Sequence, residues 1–313
     1  MAITDIVQKL IPDIGGYKGK VVVIDEASSS FGYIGVAEAG SLKSEAKWRI
    51  MRVYRQGNVY TVETAPTEDF SNIWDNRTSL FSSLVLNNAY SIDFDGVNDL
   101  VACGNNHTFE VSQAFSIGFW VKPNNLAATR CLISKCSNDA NVWGYNIQHL
   151  VTSGALQVQM RTAASNTIHA FTTALTAGVW QHVVLTFSGN SNINGNRVYK
   201  NAVIGDTPPS AALAGSFVNT ANFTMGARNT AFPYSGFMDE VSVWNKALTQ
   251  TEITELYNSG QPGNLVDHSA YANLVSWWRM GDGDTFPTLI DGKGTATGTM
   301  TNMAADDIAG EVP

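Results

Sequence analysis

Along most of the chain, apolar and polar residues alternate in short runs. Phe115, Ile117, Phe119 and Val121 are separated by Ser116, Gly118 and Trp120, and the run stops at Lys122-Pro123. This is the period-two pattern of a strand. Ile92, Phe94 and Val97 alternate with Asp93 and Asp95, and Gly96 opens a turn that carries Asn98 and Asp99. Similar runs follow at intervals of about ten residues, at 132–134, 145–149, 156–161, 182–187, 197–200 and 223–226. The turns between them are rich in Gly, Asn, Ser and Thr, as in 188–195. Such spacing predicts an all-β, two-sheet antiparallel sandwich rather than alternating strands and helices.

The period changes in one place. Residues 235–260 begin as a strand, with Phe237, Val241 and Val243 apolar, and then read Thr249-Gln250-Thr251-Glu252. That is a capping box, in which the Thr249 hydroxyl accepts from the Glu252 amide and the Glu252 carboxylate accepts from the Thr249 amide. Ile253, Leu256 and Tyr257 then share one helical face, with Gly260 and Pro262 as stop signals, so one short helix is predicted from about Gln250 to Ser259. After it, Leu274 to Asp282 reads as another strand, 292–300 as a final strand or arm, and 304–313 as a tail.

The first 83 residues differ. Residues 3–11 carry a helical stripe ended by Pro12, short enough to need its own domain or a partner to pack on. Residues 20–25 read as a buried strand, and Trp48–Arg55, Gln56-Gly57-Asn58 and Val59–Glu63 as a hairpin. Arg49 and Arg55 fall on one face of that hairpin and Arg52 on the other, which fits either a two-faced unit or a charge-guarded edge.

Charge sharpens this division. The formal net charge of -8 is concentrated after residue 83, where ten Lys and Arg face seventeen Asp and Glu. An acidic surface is the wrong partner for a phosphate backbone, so nucleic acid is not expected. No apolar run is long enough to cross a bilayer, so membrane insertion is not expected either. The N-terminus lacks the pattern of a secretory signal, which predicts assembly in a cytoplasm. Cys103, Cys131 and Cys136 have no Cys-x-x-Cys spacing and are read as buried thiols.

No catalytic constellation stands out. Glycosidases need two carboxylates on one face, yet Asp239 and Glu240 are adjacent and should point to opposite faces of a strand. Asp93 and Asp95 share a face but flank a turn. The five histidines show no metal-binding spacing, and His182 reads as a packed strand residue. Trp143, Tyr145, Phe232 and Tyr234 stand in loop-like surroundings, where aromatic rings can stack on sugars.

Several blocks taken together resemble the laminin-G-like, concanavalin-A-like jelly-roll domains. They are Ser91-Ile-Asp-Phe-Asp-Gly96, Phe115 to Pro123, Leu132-Ile-Ser-Lys135, Gly144-Tyr145, Gly178 to Val184, Met225-Gly226 and the closing Gly236-Phe-Met-Asp-Glu-Val-Ser-Val-Trp-Asn-Lys-Ala-Leu-Thr249. In many relatives the Leu274–Asp282 segment stands before the first strand, so its place here implies a sheet completed from the other end of the chain. The resemblance implies a jelly-roll domain over 84–303, a calcium ion (Ca2+) held by Asp95, Asn98, Asp99 and Asp239, and glycan binding. The competing reading makes Asp95-Gly96 only a turn and Asp239 only a hydrogen-bond acceptor. Residues 33–80, with YIGVAEAGS, KWRIMRV and FSNIWDNRTSL, look like the short domains of tailed-bacteriophage virion proteins. The expected protein is therefore a non-enzymatic virion component, a capsid decoration, head fibre or tail adhesin present as a homo-oligomer or symmetric array. Residues 1–83 would anchor it to capsid or tail proteins, and the jelly roll would face cell-surface glycans. A bacterial carbohydrate-binding module is the alternative, and a glycan-cleaving enzyme the third.

Overall fold

The computed structural model describes residues 20–25, 31–38, 46–56, 59–64, 72–73, 88–136, 144–164 and 166–313. The chain divides into two compact units, 1–85 and 86–313. The helix expected at 3–11 lies outside the described residues, as does the Gly57-Asn58 turn.

The described residues of unit 1 form a small antiparallel sheet. β1 (Lys20–Asp25), β2 (Phe31–Glu38), β3 (Ala46–Gln56) and β4 (Val59–Thr64) pair in chain order, and β5 (Asn72–Ile73) adds to β3. The expected hairpin is β3 with β4, in a register that places Gln56 against Val59 and Arg52 against Glu63. Trp48 and Ile50, two residues apart and so on one side of the strand, are both buried.

Unit 2 is a sandwich of two antiparallel sheets. Sheet I runs β15 (Val203–Ile204), β14 (Asn196–Lys200), β13 (Gln181–Phe187), β8 (Phe115–Pro123), β17 (Ser235–Trp244), β6 (Ser91–Asp95) and β21 (Ile308–Ala309), with β18 (Leu274–Trp278) also paired to β17. Sheet II runs β12 (Asn166–Ala174), β11 (Ala155–Arg161), β10 (Gly144–His149), β9 (Arg130–Ser134), β16 (Thr224–Met225), β7 (Leu100–Ala102), β20 (Gly298–Thr301) and β19 (Thr288–Leu289). Phe94, Phe115, Phe119 and Val183 of sheet I meet Ile147, Val158 and Met225 of sheet II in the core. β18 completes sheet I as the displaced segment implied. The expected tail carries a strand as well, since Ile308 pairs with Ile92 and Ala309 with Ser91. β12 was not legible as a strand, because its exposed Ile168 and Ala170 blur the alternation of an edge.

Sheet I is covered on its outer side too. The helix α1 (Gln250–Tyr257) lays Ile253 and Leu256 against Val184 and Trp244, and Leu265 and Trp277 close the cluster. The approach is close. A Cβ on Gly118 would lie 3.0 Å from Leu256 Cδ2 and 3.1 Å from Ser242 Oγ, so this strand position takes glycine. With both faces buried, β8, β13 and β17 read as nearly continuous buried runs. The capping box forms as expected, with Glu252 N to Thr249 Oγ1 at 3.3 Å and Thr249 N to Glu252 Oε2 at 2.8 Å. The helix ends at Tyr257, before Gly260, because Asn258 already adopts the left-handed conformation (φ 44°), which asparagine tolerates better than most side chains.

β17 departs from regular pairing at Asp239 and Glu240. Its register against β8 shifts between Asp239 and Ser242, and Glu240 has φ 48°. This is a β-bulge, which suspends the alternation of sides. The opposed arrangement expected of these two neighbours is therefore wrong: both side chains are buried and act on each other electrostatically. Before the bulge, β17 pairs with β6; after it, with β18. Glu240 accepts from Trp277 Nε1 and meets Arg279 Nε at 3.3 Å, and Arg279 Nη2 lies 3.1 Å from Asp282 Oδ2. Asp239 accepts from Asn88 Nδ2 (2.7 Å), and Asp282 from the amide of Ala89. Burial and then Glu240 hold the Asp239 carboxyl well above the usual range, burial pushes Glu240 up to about 7 despite Arg279, and burial raises Asp282.

Two outcomes follow from these contacts. Thr249→Ala should destabilise unit 2 by about 0.5–2 kcal/mol through loss of the cap; an unchanged denaturation midpoint would show that the cap contributes nothing. Because Asp239, Glu240 and Asp282 take up protons more readily in the folded state, their contribution is full below the ordinary carboxylate range. It declines as pH rises through about 7. The melting midpoint should therefore be higher at pH 5 than at pH 8, and Asp239→Asn should flatten the difference. A midpoint that rises with pH in both proteins would contradict the assignment.

Candidate functional site

With α1 and its following turns closing the outer side of sheet I, the other broad surface of the sandwich is the outer side of sheet II. Its composition follows from strand parity. Tyr145, Ile147, Val158 and Met160 point into the core, so Asn146, Gln148, Gln157 and Gln159 point outward. Register then lines up one row across seven strands: Ile168, Gln159, Asn146, Ser134, Thr224, Ala102 and Thr299. A second, shorter row holds Ala170, Gln157, Gln148 and Cys131. Neither row contains a formal charge.

The rows are knitted together. Asn146 Nδ2 donates to Gln148 Oε1 (3.1 Å), and Gln148 Nε2 to Gln157 Oε1 (2.6 Å). Asn146 Oδ1 is buried and has no hydrogen-bond partner. At one flank Arg228 Nη1 donates to Gln159 Oε1 (3.0 Å), and the Arg228 guanidinium lies 4.5 Å from the centre of the Phe232 ring. The middle of the row is packed, while Phe232 is 39% and Ile168 51% exposed and Gln157 and Arg228 are half-buried. The accessible part is thus an aromatic ring on a guanidinium, with the half-buried Gln157 amide in the neighbouring row. Amides both donate and accept, as vicinal hydroxyls require, and the ring offers an apolar face.

Of the aromatic residues expected to meet a glycan, Phe232 is at this surface. Trp143 lies outside the described residues. Tyr145 and Tyr234 are core residues and correct that expectation. The Tyr145 ring packs, tilted, with its centre 4.9 Å from that of Phe115, and its hydroxyl donates to the His107 carbonyl at 2.7 Å. Tyr234 packs 5.9 Å from Phe94 and donates to the Phe237 carbonyl. Neighbouring glycines and prolines made them look like loop residues, but both are fully buried.

The four residues expected to share calcium do not converge. Ser235 of β17 stands opposite Asp95, so Asp239, four residues on, is displaced by roughly 13 Å along the strand at ~3.3 Å per residue. Asp95 Oδ1 accepts from the amides of Val97 (2.7 Å) and Asn98 (3.4 Å), and Asp99 Oδ2 from the amide of Asp95 (2.8 Å). Burial, with help from Asp95 and Asp307, pushes Asp99 up to about 6. These carboxylates hold a turn together, and the set as predicted does not fit one ion. Among the described residues, no group of three or more His, Cys, Asp or Glu is placed to hold a metal.

Sequence reasoning missed Asn146, Gln148, Gln157, Gln159 and Arg228. The signal was present in Tyr-Asn-Ile-Gln-His and Leu-Gln-Val-Gln-Met, where amides occupy both outward positions of each five-residue run.

In sequence, no curated protein matches the chain. Among solved structures, a candidate carbohydrate-binding protein from Bacteroides ovatus aligns at 13% identity and a TM-score of 0.51, covering 96% of this chain and 84% of its own. A heptameric pentraxin from Limulus polyphemus aligns at 20% identity and 0.41, over 54% of this chain and 82% of its own. The carbohydrate-binding module of a Ruminococcus gnavus sialidase aligns at 14% and 0.40, over 53% and 95%. Residues 95–254 match the laminin G-type family model of the concanavalin A-like lectin/glucanases superfamily. The chain, whose described residues form a two-sheet antiparallel sandwich with one α-helix on one sheet, belongs to that superfamily.

Proposed function

We propose that the protein is a non-enzymatic glycan-binding protein, and that the outer side of sheet II around Phe232, Arg228, Gln157 and Gln159 is its glycan surface. The observation that carries this reading is the uncharged amide and hydroxyl row, flanked by an exposed ring stacked on a guanidinium. The superfamily contains lectins, and the fold neighbour from Bacteroides ovatus is described as a candidate carbohydrate-binding protein. This reading extends that ligand class to the present chain. Burial of Asp239 and Glu240, which closes both carboxyls off from solvent, supports a role without glycan cleavage.

In the same reading the protein is carried on a tailed-phage particle, with residues 1–83 as the attachment unit. Support comes from the sequence resemblance of residues 33–80 and from the separate compactness of unit 1. Copies on a particle would be symmetric, and even a weak single site would then bind a glycan-coated surface through multivalency.

On a glycan array, Gln157→Ala and Phe232→Ala should each weaken binding by about threefold to tenfold, the effect of one neutral hydrogen bond or ring contact. Variants that bind every glycan as well as the parent would move the site elsewhere. Deleting residues 1–83 should abolish incorporation into virions while the remainder stays folded by circular dichroism. Particles that still carry the truncated protein would place the anchor in the sandwich.

A further inference from the structure

Away from the outer side of sheet II, a cavity of about 410 Å³ opens at one end of the sandwich. Its walls come from four segments: the loop after β7, the residue after β17, β18 and the β19–β20 loop. Asn106, His107, Thr108, Asn245, Ser276 and Thr295 contribute polar groups, and Phe109, Val275 and Ala296 apolar surface. No side chain of the lining carries a fixed charge.

Asp291 and Lys135 lie close enough for their fields to reach His107, but both are engaged by the protein, Lys135 Nζ on Asn105 Oδ1 at 2.6 Å. Asp291 accepts through Oδ1 from the amides of Trp277 (2.9 Å), Lys293 (3.0 Å) and Gly294 (2.8 Å), and through Oδ2 from that of Ala296 (3.1 Å). The Lys293 ammonium lies 3.6 Å from the centre of the Tyr271 ring. The same contacts fix the wall. A Cβ on Gly294 would fall 2.5 Å from the Val275 carbonyl and 2.7 Å from Asp291 Oδ2, so the loop can take only glycine there. On the opposite wall His107 holds φ 55°, a conformation that costs energy for a side chain other than glycine. It is kept there by the Tyr145 hydroxyl on its carbonyl and by edge contacts of its ring with Phe223 (4.8 Å) and Trp278 (5.5 Å). His107 Nε2 is buried and has no partner. Burial lowers this imidazole to about 4, so it is neutral under ordinary conditions.

We infer that this cavity is a second ligand site, which takes one uncharged, hydroxyl-rich sugar ring of the hexose or N-acetylhexosamine type. A charged ligand would lose its hydration without meeting an opposite charge. Asn106 Nδ2, Thr108 Oγ1 and Asn245 Oδ1 have partners within the protein, but a purely apolar ligand would still strand Asn106 Oδ1, Asn245 Nδ2 and the Ser276 and Thr295 hydroxyls. A neutral sugar satisfies both constraints, and the volume lies in the lower part of the ~300–1,000 Å³ range of small-molecule pockets. The site shares no residue with the outer side of sheet II and stands whether or not that surface binds glycan.

Histidine-labelled full-length protein reports on the cavity directly, because His107 is in its wall. Its ring cross-peak in a carbon–proton correlation spectrum is the one lost in His107→Gln. Glucose, galactose, mannose, N-acetylglucosamine and glucuronate are each titrated into the millimolar range. At least one neutral sugar should move the His107 signal saturably, and glucuronate should not. Thr295→Trp should abolish the shift by filling the space, and Asn245→Ala should weaken it about threefold or more, which covers the case in which the tryptophan variant does not fold. Phe232→Ala should leave the shift unchanged, which separates this site from the sheet surface. The inference is overturned if no neutral sugar moves the signal, if glucuronate moves it equally, or if both cavity variants respond like the parent protein.

Discussion

The bulge at Asp239 and Glu240 is the constraint on which the sandwich turns. β17 has β8 along one edge, but along the other it must accept two strands end to end, β6 and then β18. A regular ten-residue strand would carry Asp239 and Glu240 to opposite sides. With Glu240 at φ 48° the strand instead reorients at the junction of its two neighbours, and both carboxyls enter the interior. Three buried acids then lie in one network, Glu240 and Asp282 on Arg279 and Asp239 on Asn88 beside them. One guanidinium cannot neutralise three carboxylates in a low-dielectric site, and burial holds all three carboxyls above their usual range, Asp239 with an amide rather than a guanidinium opposite it.

That junction also decides which surface remains available. Because β18 arrives after α1, the chain between them is laid across the outer side of sheet I, where Leu265 and Trp277 finish what Ile253 and Leu256 begin. Sheet I is therefore buried on both sides. Sheet II keeps a polar outer side, and its alternation survives in the sequence for the same reason.

Much of this was legible before any coordinate. Alternation identified β8, β10, β11 and β13, and the capping box placed α1 to the residue at its start. Three kinds of feature were not legible. A bulge breaks the period on which side assignment rests, so Asp239 and Glu240 were placed on opposite sides. Tyr145 and Tyr234 were judged by their neighbours in sequence, whereas strand parity and three-dimensional packing put them in the core. The amide rows were visible only as alternation, because register across β9, β10, β11 and β16 is what turns scattered Asn, Gln, Ser and Thr into one surface.

The acidic character of the chain also has a structural explanation. Asp95, Asp99, Asp284, Asp291 and Asp307 all accept main-chain N–H groups in turns, and Asp206 accepts from the amide of Thr172 across a longer interval. An aspartate used this way satisfies donors that a loop would otherwise leave unpaired, and each such carboxylate has less capacity left for a cation. The charge surplus of unit 2 is thus spent inside its own turns. Hydrogen-bonding capacity remaining at the outer side of sheet II belongs to amides, hydroxyls and the Arg228 guanidinium, and that in the end cavity to amides, hydroxyls and neutral imidazole, groups that match the hydroxyls of a sugar.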